Sequence, residues 1–283
     1  MFRRRVSLKP ATLIVALLCG ALAAYADGNG NGNGNGNGDN NCASLPSFSA
    51  LQSALVAAVA TETSGLNNQM WGTIVDRNGV VCAVAFSGAN SGAQWLASRA
   101  ISAQKASTAN ALSLDSSSNS NGSGQPKGLA LSSANLYSAV QPGGSLFGLQ
   151  ESNPVDPGVA YQGKSSQYGT SHDPLVGNKM GGINVFGGGL ALYTKGGVLV
   201  GGVGVSGDTS CADHNIAWRV RNNLALDHLA NVGGVSGDPQ RPDNIVFDIT
   251  PNPNGGTGIS AGGYGHPPCY NSFGSSTLPP VQP

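Results

Sequence analysis

Residues Gly181–Leu224 read GGINVFGGGLALYTKGGVLVGGVGVSGDTSCADHNIAWRVRNNL, and their reading decides the fold. Gly189–Thr194 and Val198–Val205 are apolar runs joined by Lys195-Gly196-Gly197, the pattern of two strands around a tight turn. Ser206-Gly207-Asp208 then turns the chain into a helix that begins near Ala212. Gly201, Gly202 and Gly204 interrupt the second strand. A strand position without a Cβ admits another backbone, a side chain or a ligand at close range.

Upstream of this hairpin, Phe48, Leu51, Leu55, Val56 and Val59 recur at three- and four-residue spacing, which predicts an amphipathic helix capped near Ser47. Met70–Asp76 and Val80–Phe86 are joined by Arg77-Asn78-Gly79, and Asn-Gly between two such runs predicts a hairpin. Trp95–Leu112 is Ala-rich with helical periodicity and ends in a Ser/Asn/Gly loop at residues 116–124. LALSSANLYSAV (Leu129–Val140) predicts a short helix before a Gly-rich turn. Residues 151–180 show little periodicity, and a segment of that length is more often functional or interfacial than idle. After Asp227 the composition is Gly, Pro and Asn, with Ile245–Ile249 as one further edge strand and the remainder a tail held by Cys269. Short antiparallel strands alternating with helices predict an α+β fold, one antiparallel sheet with helices packed on it.

The first residues stand apart from that fold. Arg3, Arg4, Arg5 and Lys9 precede an apolar stretch and Ala24-Tyr25-Ala26, the pattern of a cleaved secretory signal. A membrane anchor needs about 20 apolar residues, more than this run offers. The division expected is therefore 1–26 signal peptide, 27–42 disordered Asn-Gly linker, 43–229 the folded domain and 230–283 a Gly/Pro-rich C-terminal extension, in a secreted or periplasmic protein. With those four of the 14 cations gone, ten remain against 14 acidic residues, a net charge of −4. No basic cluster is left, which argues against nucleic acid and anionic membrane as partners. Cys42, Cys82, Cys211 and Cys269 survive cleavage, and four cysteines in an exported chain predict two disulfides with three possible pairings. Cys42–Cys82 with Cys211–Cys269 is the pairing expected, because it ties each flanking segment to the core.

Three segments together resemble the GlcG/HbpS family of heme-binding proteins. SAQKASTANAL (Ser102–Leu112) resembles the family's A-x-x-K-A-x-T-A helix. GTIVDRNGVVCAVAF (Gly72–Phe86) resembles its V-V-D-x-x-G-x-L-V-A hairpin, and Gly187–Ala217 its closing G-x-V-x-G-A-x-G-V-S-G…D-E-x-I-A segment. The resemblance implies a profilin-like sandwich, usually a homo-oligomer. Some members bind heme, some are exported and bind iron, and others have no assigned reaction. This chain departs from the pattern in its longer excursion at 115–180, its tether and tail, and Gly189-Leu190-Ala191 where the family has proline. It also lacks any His before His172, so an axial His on the first helix does not carry over.

The cofactor implied is heme, or a related small molecule. The candidate binding residues are Lys105 and Thr108, three apart on one helix face, Gly202 and Gly204 of the glycine strand, and Asp213 and His214 at the start of the last helix. His214 is the candidate metal ligand; no catalytic residue is assigned. Two alternatives stand beside binding. One is an enzyme using Lys105, Asp213 and His214 as acid–base groups on a small metabolite; the other is a structural module of the cell envelope. Gly202–Gly207 fits G-x-G-x-x-G, but no parallel βαβ unit follows it. Ser206 lies in G-V-S-G, which is not a nucleophile elbow. The claim that joins these residues is that the glycine strand faces the Lys105 helix across a space that holds something flat or small.

Overall fold

The hairpins predicted from the two turn motifs form the whole of the central sheet. The computed structural model describes residues 41–118, 127–256, 258–272 and 278–283; the expected signal peptide and all but residues 41–42 of the linker lie outside the described residues. In chain order the elements are α1 (Phe48–Thr61), β1 (Trp71–Asp76), β2 (Val81–Phe86), α2 (Ser98–Leu112), α3 (Pro157–Ala160), β3 (Gly189–Thr194), β4 (Val198–Ser206), α4 (Ser210–Asn223), β5 (Ile249–Thr250) and β6 (Ile259–Ser260). The strands β2-β1-β4-β3 lie in that spatial order, every neighbour antiparallel. The fold is α+β, a four-stranded antiparallel sheet with helices packed on it.

Local chemistry places each element. Ser47 caps α1 by accepting from the Ala50 amide at 3.3 Å, a contribution of about 1 kcal/mol. In the β1–β2 turn, Gly79 takes φ +80°, and Asp76 Oδ1 accepts from the amides of Asn78 (2.9 Å) and Val80 (2.8 Å). α4 starts two residues before the expected Ala212, because Thr209 caps it by accepting from the Ala212 amide.

Alternation along β1 and β4 sorts the two faces. Gly72 faces Leu51 and Leu55 of α1, and Ile74, Val203 and Val205 share a core with those leucines and with Ile216 and Val220 of α4. On the opposite face, Thr73 Oγ1 meets Ser102 Oγ of α2 at 2.7 Å, while Trp71 and Val75 pack on Ala103 and Ala106. Thus α1 and α4 cover one side and α2 the other.

Three sequence expectations are corrected. Residues Ser133–Leu136 and Ser138–Val140 form two 3-10 turns, not an α-helix. The Ser132 amide and hydroxyl both bond to Asn135 Oδ1, and such local side-chain bonds compete with the helical ladder. Ile249 does not join the main sheet; β5 pairs with β6 in a separate ribbon. The open edge of β3 is already taken by Leu226–His228, since Tyr193 N donates to Leu226 O (2.8 Å) and His228 N to Tyr193 O (3.3 Å). Nor is the C-terminal segment a loose tail: Leu278 and Val281 are buried in the main core, and Trp218 Nε1 donates to Pro279 O at 2.9 Å. The excursion is likewise anchored. Arg99 of α2 donates through Nε to Asp173 Oδ2 (2.9 Å) and through Nη1 to Ala160 O (3.0 Å), with its guanidinium over the Tyr168 ring at 3.7 Å.

Candidate functional site

The six candidate residues do not form one open pocket. Gly202 and Gly204 lie under α2, where a Cβ at Gly202 would overlap the Ala106 carbonyl oxygen and one at Gly204 the Ser102 carbonyl oxygen. The backbones of helix and strand touch there, so the space reserved for a ligand is filled by the helix itself. Thr108 is spent elsewhere: its hydroxyl donates to Gln104 O (2.8 Å) within α2 and accepts from the Asn184 amide (2.9 Å) before β3.

Lys105 and Asp213 come together at the end of that contact; they and His214 are buried. Lys105 Nζ donates to Asp213 Oδ2 at 2.6 Å and to Val205 O at 3.2 Å. Asp213 Oδ1 accepts from the Asp208 amide at 2.8 Å, and Asp208 in turn takes the amides of Leu66 (2.8 Å) and Asn68 (2.9 Å). The pair therefore joins α2, α4 and the loop before β1 through bonds that leave neither charge unpaired. Buried pairs of this kind fix geometry more than they add stability.

His214 is different. It is wholly buried, and neither ring nitrogen has a hydrogen-bond partner among the described residues. Its ring tilts against Trp218, with centroids 5.9 Å apart. Asp243, Asn244 and His266 of the C-terminal segment and Arg221 are its polar and charged surroundings. Burial pushes the imidazole down to about 3, so at neutral pH it is an uncharged base with free lone-pair character. A buried polar group left unpaired costs about 1–3 kcal/mol, a penalty that a ligand at this nitrogen would remove.

His214 and Asp213 answer acid in opposite directions. Between about 6.5, the unfolded value, and about 3, the unfolded chain binds the His214 proton and the folded chain does not. Stability therefore falls as pH drops through that window. Asp213 is raised to about 6, first by burial and against the pull of the Lys105 ammonium, so it protonates earlier in the folded chain. Its contribution to stability grows as pH falls from about 6 to about 4. In His214→Phe only the second response remains of these two. Urea denaturation at pH 7 and pH 5 should show the variant losing about 2 kcal/mol less than the wild type. Parallel pH profiles would contradict a neutral buried imidazole.

The remaining histidines separate by role. His172 is exposed beside Asp173, whose carboxylate belongs to Arg99; His228 Nδ1 meets Pro283 O at 2.6 Å. Sequence reasoning leaves His266 in a tail, yet it is buried near the N-terminus of α4, with Nε2 2.7 Å from Ser210 Oγ. It also leaves unpaired the ions Arg221 and Asp243, which bond at 2.6 and 2.9 Å with no exposure. Both bonded disulfides, Cys42–Cys82 and Cys211–Cys269, tie flanking segments to the core. A recess of about 300 Å³ lies among Ala230–Pro242 and carries no His, Met, Cys or Tyr to ligate iron.

A family model described as "Haem degrading protein HbpS-like" matches residues 48–221. Among solved structures, the chain is similar to a PduOC:heme complex, at 22% identity over 62% of this chain and 91% of that one, TM-score 0.39. It is similar to protein ORFY of Klebsiella pneumoniae, at 25% identity over 64% and 90%, TM-score 0.39. A double mutant of HbpS from Streptomyces reticuli matches at 18% identity over 71% and 98%, TM-score 0.36. No curated protein matches the chain.

Proposed function

The chain belongs to the HbpS-like family, and on that premise we propose that it is a heme-binding-type protein whose own ligand to the iron is His214. The observation that carries this reading is the pair of buried, unpartnered ring nitrogens of His214 inside the family-matched segment. Bound heme would supply an iron that the His214 imidazole could ligate. The donor fits: it is neutral and has no competing partner. The contact between α2 and β4 does not fit a planar group, because the two backbones touch. The site proposed therefore lies on the side of α4 covered by residues 243–245 and His266, and Lys105, Thr108, Gly202 and Gly204 hold the framework behind it. Asp213 keeps the first turn of α4 in place through Lys105 and the Asp208 amide.

Export and self-association belong to the same proposal. Two disulfides suit an oxidising compartment, and no described helix is long and apolar enough to cross a membrane. Titration of the mature chain with hemin should give a saturable Soret shift near one heme per chain. His214→Ala should weaken binding at least about tenfold, a loss of about 1.4 kcal/mol. Hemin absorbance that changes without saturation, or equally in both proteins, would overturn the proposal.

A further inference from the structure

A second constellation lies at the N-terminus of α4. Cys211, His266 and Cys269 place two sulfurs and an imidazole nitrogen within 4.8 Å of one another. His266-Pro267-Pro268-Cys269 supplies two of them at H-x-x-C spacing, and Cys211 adds the third from the first turn of the 14-residue helix. In the oxidised chain the sulfurs form the Cys211–Cys269 bond. We infer that reduction of this disulfide converts the cluster into a site for a divalent metal ion of zinc type, with Cys211, Cys269 and His266 as its protein ligands. The site goes beyond heme binding and does not use His214.

The surroundings favour each donor in its ligating form. The Cys211 amide donates to Cys269 Sγ at 3.1 Å, while the Ser272 hydroxyl donates to Cys269 O at 2.5 Å. That amide hydrogen bond, with the partial positive charge of a helix N-terminus at Cys211, favours anionic sulfur there. His266 Nδ1 lies 2.6 Å from Pro267 O. A carbonyl only accepts, so Nδ1 carries the proton and Nε2 presents the lone pair, now facing the Ser210 hydroxyl at 2.7 Å. A backbone carbonyl on the far nitrogen is the usual outer support of a metal-binding His. Tetrahedral zinc with Zn–S bonds of about 2.3 Å holds two thiolates roughly 3.8 Å apart, so the sulfurs need to part only modestly. A water or an added ligand takes the fourth position, as in open zinc sites.

The reductant required is a water-soluble phosphine. Phosphorus gives two electrons to the S–S bond and takes the oxygen of one water, and the two hydrogens of that water leave both sulfurs as thiols. A divalent ion then displaces the two thiol protons. The test uses the full mature chain, free of heme, with cobalt(II) as the optical probe. After phosphine reduction it should bind one cobalt per chain with a thiolate-to-metal charge-transfer band, and zinc should abolish that band. The oxidised chain should show none. Cys211→Ser and Cys269→Ser should lose the band, and His266→Gln, which keeps the disulfide, should bind at least about tenfold more weakly after reduction. A reduced wild type without the band overturns the inference, as does a band that survives in the cysteine variants or affinity unchanged in His266→Gln. So does a reduced chain whose far-ultraviolet circular dichroism collapses and does not return with zinc. Hemin plays no part in the assay, so a failure of heme binding and a failure of this site are read separately.

Discussion

Asp243→Ala is expected to lower the unfolding free energy by about 4 kcal/mol, within the range of about 3–5 for a buried pair that loses one member. Asp243 and Arg221 show no side-chain exposure. Arg221 donates to both Asp243 oxygens and to Ala191 O at 3.1 Å, with its guanidinium 4.6 Å from the Trp218 ring. A lone buried carboxylate can protonate, but a guanidinium cannot shed its charge, so removing the acid is the harsher change. The loss also loosens Asp243 and Asn244, which belong to the surroundings of His214. Chemical denaturation gives the number. An Arg221→Met/Asp243→Leu double variant should recover most of the stability, because neither charge then remains to be desolvated. A loss below about 1 kcal/mol in Asp243→Ala would mean that the pair is solvated.

Gly204→Val is expected to cost about 3 kcal/mol or more, at the upper end of overpacking effects. The first side-chain atom would fall on the Ser102 carbonyl oxygen and beside the Ala106 amide nitrogen. Both belong to the α2 backbone, which cannot rotate aside as a side chain would. The helix must lift from β4, straining the nearby link between Lys105 and Asp213. Differential scanning calorimetry should show a lower melting temperature, by roughly 2–4 °C per kcal/mol for a domain of this size. A variant as stable as the wild type would mean that free space separates helix and strand, the ligand slot that the glycine pattern suggests.

That glycine pattern shows how far the sequence could be read. It signals a close approach to β4, and the approach exists, but nothing in Gly201-Gly202-Val203-Gly204 says whether a ligand or a helix comes close. The two hairpins were legible because turn chemistry is local: Asn78-Gly79 and Lys195-Gly196-Gly197 need no distant partner. The expected cysteine pairing matches the two bonds present, since each joins a flanking segment to a core element. The ions were not legible. Arg99, Lys105 and Arg221 find Asp173, Asp213 and Asp243 through tertiary placement, and no spacing along the chain marks such partners. For the same reason the segment after Asp227 reads as a tail by composition, yet its Leu278, Val281 and His266 are buried. His214 was visible as an imidazole beside the family's acidic position; that both its nitrogens would be left without partners was not.

The most direct test of His214 as the iron ligand is the electron paramagnetic resonance spectrum of the ferrous nitrosyl complex, formed with heme-loaded protein. Wild type should show the nitrosyl signal further split by an axial imidazole nitrogen, a splitting that changes when the chain carries ¹⁵N-histidine and disappears in His214→Ala. An imidazole splitting that persists in His214→Ala, or a wild-type spectrum with none, would contradict the account.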